Sequence, residues 1–321
     1  MCDREDKVKT EEIILNVRRL IMGKIRNIIK EDILKVLGSS TFWLAVLATA
    51  LILITGTIGT YENNEKFNII ELVTSHSRSE ISSTIECDVI STIYNGSSSY
   101  IWMFMPVLAG MPLIPLLCAE RKNRAMRYEL FRVSKFKFAV GKLFSAMISG
   151  GMVLSIAYLV FSLVIFIGLP QKGNLQDIVD NSLLIEISYA GYWKVVEKLG
   201  LPFFLITKFM MVFLYGALSS LVAYVLSSFV TNKYIVLCAP FIVNYMVTMA
   251  VDKYGSTPMS YEHPNNPFNL IIGSLTTASG LRLCDLPLNN AIYFICVWTV
   301  LIALSMGIYV FIVNRRCDCG Q

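Results

Sequence analysis

The chain has 321 residues, 55% hydrophobic and 16% charged, with 28 Lys+Arg against 23 Asp+Glu and a mean hydropathy of +0.59. A soluble domain carries about a quarter charged residues, so the composition excludes an ordinary water-soluble fold. The apolar residues are blocked rather than spread, which points to an integral membrane protein.

A bilayer core of about 30 Å takes roughly 20 apolar residues of helix to cross. Six stretches meet that demand: Thr41–Gly59, Tyr100–Cys118, Phe138–Leu169, Phe203–Val230, Tyr234–Val251 and Asn290–Val313. They are continuously apolar and lack the alternation of a barrel wall. The predicted fold is therefore all-α, with six transmembrane helices. No cleavable leader is expected, because the first apolar stretch starts only near residue 41.

Ahead of it, residues 13–37 carry apolar side chains at 13, 17, 20, 21, 25, 28, 29, 33 and 36. Arg18, Arg19, Lys24, Arg26, Lys30 and Lys35 lie largely on the other face. This spacing predicts an amphipathic helix lying in the membrane interface, or else packed on a soluble partner, broken by Gly38-Ser39-Ser40 before the first span. Residues 58–99 are polar with apolar patches and read as a small helical cap. Between the second and third spans comes "AERKNRAMRYELFRVSKFKFAVGK" (119–142), which holds eight of the 28 cations. The third apolar stretch is longer than one straight crossing needs, so its first turns project from the membrane, continuous with this basic run.

Residues 170–202 contain another short helix ending before Pro202. The loop Thr231-Asn-Lys233 is minimal. Residues 252–289 include Phe268–Leu281, too short and polar to cross, which predicts a helical dip into one leaflet. With the N-terminus inside, 20 of the 28 cations fall on inner segments and 8 on outer ones. The positive-inside bias then puts both termini in the cytosol, residues 315–321 forming an inner tail.

Eight cysteines in a chain this long make no disulfide framework. Cys118, Cys238 and Cys296 fall in spans, where packing is expected of them. Cys87 and Cys284 both belong to outer loops and could bridge them. Cys317-Asp-Cys319 offers two thiols, too few for a closed metal site. Asn95-Gly-Ser97 matches a glycosylation triplet of the kind that is common by chance. His76 and His263 stand alone, no HExxH or phosphate-binding loop occurs, and the spans lack catalytic polar groups. Neither catalysis nor metal, nucleotide or nucleic-acid binding is expected of this chain.

Lys208 lies about five residues into the fourth stretch, where it can snorkel to the outer interface. Tyr215, Tyr224, Asn244 and Thr248 are the deeper polar groups of spans four and five. Such residues mostly hydrogen-bond between helices, and a minority line pathways; with Lys208 they are the pathway candidates.

This order of parts, with the residues at 120–142, resembles the membrane subunit of type-2 ABC exporters. In that family the second span ends in a Glu followed by cations, then a short helix closing on a Leu-rich pair. A Pro-Ser-Arg-like turn follows, and then a Gly-Lys that leads into the third span. Here Glu120-Arg121-Lys122 match the opening, Leu130-Phe131 the pair, Ser134-Lys135 the turn and Gly141-Lys142 the end. Two positions depart: the small Gly is replaced around Arg124-Ala125, and Val133 stands where the Pro falls. The layout covers nearly the whole chain.

The resemblance implies that the short cytosolic helix docks in a cleft of a separate ATPase, and that the 13–37 helix is the connector beside it. Met126 and Leu130, four apart, offer an apolar stripe. Arg121, Arg124, Arg127 and Arg132 surround it, with Glu129 the helix's one acid. The coupling residues are then Glu120, Arg121, Arg124, Met126, Arg127, Glu129, Leu130, Phe131, Arg132, Ser134 and Lys135. ATP and Mg would be bound by the ATPase, and a second copy of this chain would complete the pathway. Spans two and five are the cavity lining by resemblance. A cavity with so few charges suits an apolar or amphipathic cargo, foremost a peptide or bacteriocin-like toxin, and the setting implied is a bacterial cytoplasmic membrane. The rival reading is a non-transporting sensor or immunity protein that binds a ligand through its outer segments.

Overall fold

A computed structural model describes residues 25–60, 66–68, 104–123, 129–131, 133–168, 198–254 and 288–318, with isolated positions at 70, 74, 89, 93, 271, 273–275 and 281. These residues are nearly all helical. Helix α1 (Ile25–Leu37) turns through 67° into α2 (Ser40–Thr55). The corner is built by the residues expected to break the helix. Ser39 caps α2 by accepting from the Phe42 amide at 3.3 Å, and the Trp43 indole donates to the Leu37 carbonyl at 3.1 Å. Residues 13–24 of the expected amphipathic helix lie outside the described residues.

Helix α2 rises about 24 Å, short of a ~30 Å core. It is followed by an antiparallel ladder of β1 (Thr57–Thr60) and β2 (Lys66–Asn68) with a bulge between Thr57 and Gly59. The segment read as a helical cap thus opens on paired strands, while its described positions 70, 74, 89 and 93 are helical. The second apolar stretch is also not one straight helix. It divides into α3 (Met105–Gly110) and α4 (Ile114–Lys122), with a break at 111–113. Pro106 and Pro115 sit in the first turn of each piece, where a missing amide costs nothing, and Pro112 occupies the break.

Four long helices follow in the described chain: α5 (Lys135–Gly168), α6 (Leu201–Phe229), α7 (Lys233–Tyr254) and α8 (Leu288–Asp318). Each has a stretch long and apolar enough to cross a membrane, which makes four such helices, or five if α1 and α2 count as one bent span. Helix α6 starts at Gly200, whose φ of +74° suits glycine alone.

The core of the bundle is the α5–α6 pair. Gly150 and Gly216 let the backbones meet: a Cβ on Gly216 would stand 2.5 Å from the Gly150 carbonyl oxygen. Ser220 crosses the seam to the Ala146 carbonyl at 3.1 Å. Small residues substitute for the missing hydrophobic drive between helices in lipid, by permitting close dispersion contact. Buried serines on α5 satisfy their hydroxyls on their own helix, Ser145 on Gly141 and Ser155 on Gly151. More than half of the apolar window of α5 and of α6 is buried, against 17% for α7 and α8, which leave broad apolar faces for lipid or a partner.

Helix α7 packs on α6, α3 and α4, where Phe104 stacks on Phe241 at 5.0 Å; α8 packs on α6 and α5 instead. Trp298 of α8 donates to the Ser274 carbonyl at 3.0 Å, tying the 273–275 segment to that helix. Two of the span cysteines do not pack inside: Cys118 is buried, but Cys238 and Cys296 are exposed on the bundle exterior. Residues of the other expected loop elements, Cys87 and Cys284 included, lie outside the described residues.

Gly216→Leu should lower the melting temperature of the purified protein by several degrees, since overpacking costs about 1–3 kcal/mol. Gly307→Leu should leave it unchanged, because a Cβ at that position would meet no atom within 4 Å. Equal melting of both variants would show that the glycine seam does not hold the bundle together.

Candidate functional site

The sequence around 120–142 folds into a buried ionic cluster centred on Lys142. Gly141 makes the first contribution. A Cβ there would stand 2.9 Å from Ile28 Cγ2, so the absence of a side chain lets α1 lie against the first turns of α5. Lys142, the next residue, is 0% exposed. Its Nζ lies 2.9 Å from Asp32 Oδ1 of α1, 2.8 Å from Glu120 Oε2 at the end of α4, and 3.5 Å from Glu129 Oε2 in the helical turn at 129–131. Lys35 adds a second cation on the rim, 3.2 Å from Glu120 Oε1. One ammonium thus holds three chain segments to a fourth.

An isolated charge at such depth would be driven out by desolvation, and three acceptors close around it are what keep it in place. Among the described residues the cluster comprises three carboxylates and two ammonium groups, so one negative charge is in excess. Asp32 Oδ2 is buried with no hydrogen-bond partner among the described residues. Burial pushes the Asp32 carboxyl above its ordinary range, against the pull of Lys142. Burial likewise raises Glu129, again opposed by Lys142, with Glu120 adding to the rise.

Arg121 supplies a second tie. Its guanidinium donates to the carbonyls of Ser227 and Phe229, the latter at 3.4 Å, at the C-terminal end of α6. These carbonyls have no helical amide to accept from, and the negative end of the helix dipole favours a cation there. Deeper in, Tyr224 of α6 donates to the Ala139 carbonyl of α5 at 2.9 Å and stacks on Tyr309 of α8 at 4.5 Å.

The predicted coupling residues do not share one surface. Glu120, Arg121 and Glu129 face inward and bind the segment to the bundle. Leu130 is half-buried and packs on the apolar core, so it is not the outward stripe the spacing suggested. Phe131 is that outward residue, 87% exposed. Ser134 accepts through its carbonyl from the Phe138 amide, starting α5; Lys135 is partly buried. Arg124, Met126, Arg127 and Arg132 lie outside the described residues.

The pathway candidates are dispersed. Lys208 is only 4% exposed and faces the bundle interior, which corrects the expectation that it snorkels to the interface. Tyr215 and Tyr224 are buried between helices of this chain, and Tyr224 makes the interhelical bond that is the commoner use of such a residue. Asn244 and Thr248 share a partly buried stripe of α7, Thr248 donating to the Asn244 carbonyl at 2.9 Å.

Among the described residues no three His, Cys, Asp or Glu are grouped to hold a metal ion. A comparison with protein-family models returns no match, and a comparison with curated proteins returns none either.

Lys142→Ala should destabilise the protein by about 3–5 kcal/mol, as three carboxylates lose their shared cation. Lys142→Met with Asp32→Leu should recover part of that loss in thermal unfolding, and no recovery would mean that the pair is not the source of the cost. A second expectation concerns pH. Glu129 binds its proton more tightly folded than unfolded, so its contribution is fully present below the ordinary glutamate range and is lost as pH rises through the raised folded value. The stability of the wild type relative to Glu129→Gln should therefore fall with rising pH across that window; a flat difference would contradict the burial assigned to this carboxyl.

Proposed function

We propose that this chain is the membrane subunit of an ATP-driven exporter of the type-2 ABC kind. Two copies form the translocation pathway, each contributing six crossings, with α2 and the α3–α4 pair as the first and second. Both termini and the ionic cluster lie on the cytosolic side of a bacterial cytoplasmic membrane. A separate ATPase subunit binds ATP and Mg and drives the cycle. The cargo is apolar or amphipathic, foremost a peptide or peptide toxin.

One observation carries this reading. Lys142 unites the connector-like α1, the end of α4, the 129–131 turn and the root of α5 in a single buried ionic contact. A lever must be rigid, and a docking segment loosely hung between two spans would bend under load instead of moving them. Here the segment is fixed to α1 and α5 by Lys142 and to α6 by Arg121. A push at the outward Phe131 therefore reaches three helices at once. The exposed ring is suited to enter an apolar cleft, where aromatic anchors dominate binding energy.

The test is co-purification of the tagged chain with its ATPase subunit, followed by ATP hydrolysis in liposomes with and without amphipathic peptides. Phe131→Asp should weaken ATPase association about thirtyfold, the loss of one buried aromatic anchor worth about 2 kcal/mol, without changing the melting temperature. Unchanged association in Phe131→Asp would remove the docking assignment. Full activity of the chain with no nucleotide-hydrolysing companion would remove the export reading altogether.

A further inference from the structure

Helix α8 divides its last four turns between two faces. Tyr309 points inward onto Tyr224 and is 1% exposed. Ala303, Leu304, Gly307, Ile308, Phe311 and Arg315 recur at helical spacing on the other face and, with Phe229 at the end of α6, line an apolar groove of about 630 Å³. The groove exists because of Gly307: a Cβ there would meet nothing within 4 Å, so the floor is recessed between the larger side chains. The volume falls in the ~300–1,000 Å³ range of small-molecule sites. One charged residue closes the lining, Arg315, at the end of the bundle that carries the ionic cluster.

We propose that this groove is a binding site for an anionic phospholipid of the inner leaflet, with an acyl chain along Gly307 and the phosphate on Arg315. The chemistry is complementary at both ends: an apolar trough at hydrocarbon depth, and a guanidinium where acidic headgroups collect. Basic pockets at the cytoplasmic ends of membrane helices bind such headgroups, and guanidinium matches phosphate with two parallel hydrogen bonds. A second copy of the chain is the rival occupant, since Ala303 and Gly307 are four apart and small. The layout argues against it. Helix α7 packs with α3 and α4 on one flank of α6, whereas α8 packs on α6 and α5. With spans two and five turned to the shared pathway proposed above, the α8 groove is left facing lipid. The inference rests on the orientation and the pairing of two copies proposed above.

The experiment is lipid retention by the purified protein, measured by native mass spectrometry after equilibration with phosphatidylglycerol and phosphatidylcholine in equal amounts. Wild type should retain phosphatidylglycerol preferentially. Arg315→Gln should reduce that retention about fivefold, the effect of one cation near an acidic surface, and leave phosphatidylcholine unchanged. Gly307→Leu, which fills the trough without disturbing the fold, should displace both. Equal retention of the two lipids by wild type, or no effect of Arg315→Gln, overturns the site. So does displacement of the lipid by inorganic phosphate, which would make it a free-anion site, or efficient cross-linking of Gly307→Cys between copies, which would put a second chain there. Labelling Arg315→Cys from outside the cell would overturn the leaflet together with the orientation, while leaving ATPase association to judge the export reading separately.

Discussion

The arrangement at the basic end of this protein depends on keeping one ammonium group out of water. Lys142 sits where neither solvent nor lipid headgroups reach it, and a lone charge there is untenable. Each carboxylate that approaches it removes part of that cost, and each approaches from a different part of the chain. The electrostatic need of one atom thus dictates the placement of α1, α4 and the 129–131 turn. Dispersion contact, which is nearly as good between a helix and lipid as between two helices, has no comparable power to select one arrangement here.

The rest of the bundle follows a different rule. Between α5 and α6 the fit is set by what is missing, with Gly150 and Gly216 allowing backbones to touch. That pair is a fixed post. Around it α7 and α8 are lightly covered, each held along one face and apolar on the other. The closely packed inner pair is thus joined to the ionic foot by specific contacts, and the outer helices are covered along one face only.

Much of this is legible in the sequence, and the departures have physical causes. The apolar blocks locate the long helices because hydrocarbon demands continuous apolarity. Gly38-Ser39-Ser40 marks the α1–α2 corner because glycine and capping residues end helices wherever they occur. Pro106, Pro112 and Pro115 equally announce a broken second span, but the apolar run around them masks the signal in a hydropathy reading. Leu130 turns toward the bundle and Phe131 away from it, because spacing gives a relative angle between side chains and cannot say which side of the turn the bundle occupies. Lys142 stands out in the sequence only as part of a Gly-Lys motif, since a lysine at a helix root is ordinarily explained by headgroups. Its burial depends on Asp32, 110 residues away, and no local pattern encodes that meeting. Lys208 departs from expectation for the same reason: its helix position permits snorkelling, and only tertiary packing decides otherwise.

Arg121 differs from the other members of the foot in what it recognises. Lys142 answers to carboxylates, any of which a single substitution can erase. The acceptors of Arg121 are the main-chain oxygens of residues 227 and 229, and every amino acid supplies such an oxygen. Sequence drift along the end of α6 can change side chains freely without severing this tie, provided the helix still stops in the same place. The vulnerability is concentrated in the arginine itself and in the length of the helix it reads, so insertion or deletion near residue 229 would be more disruptive than replacement.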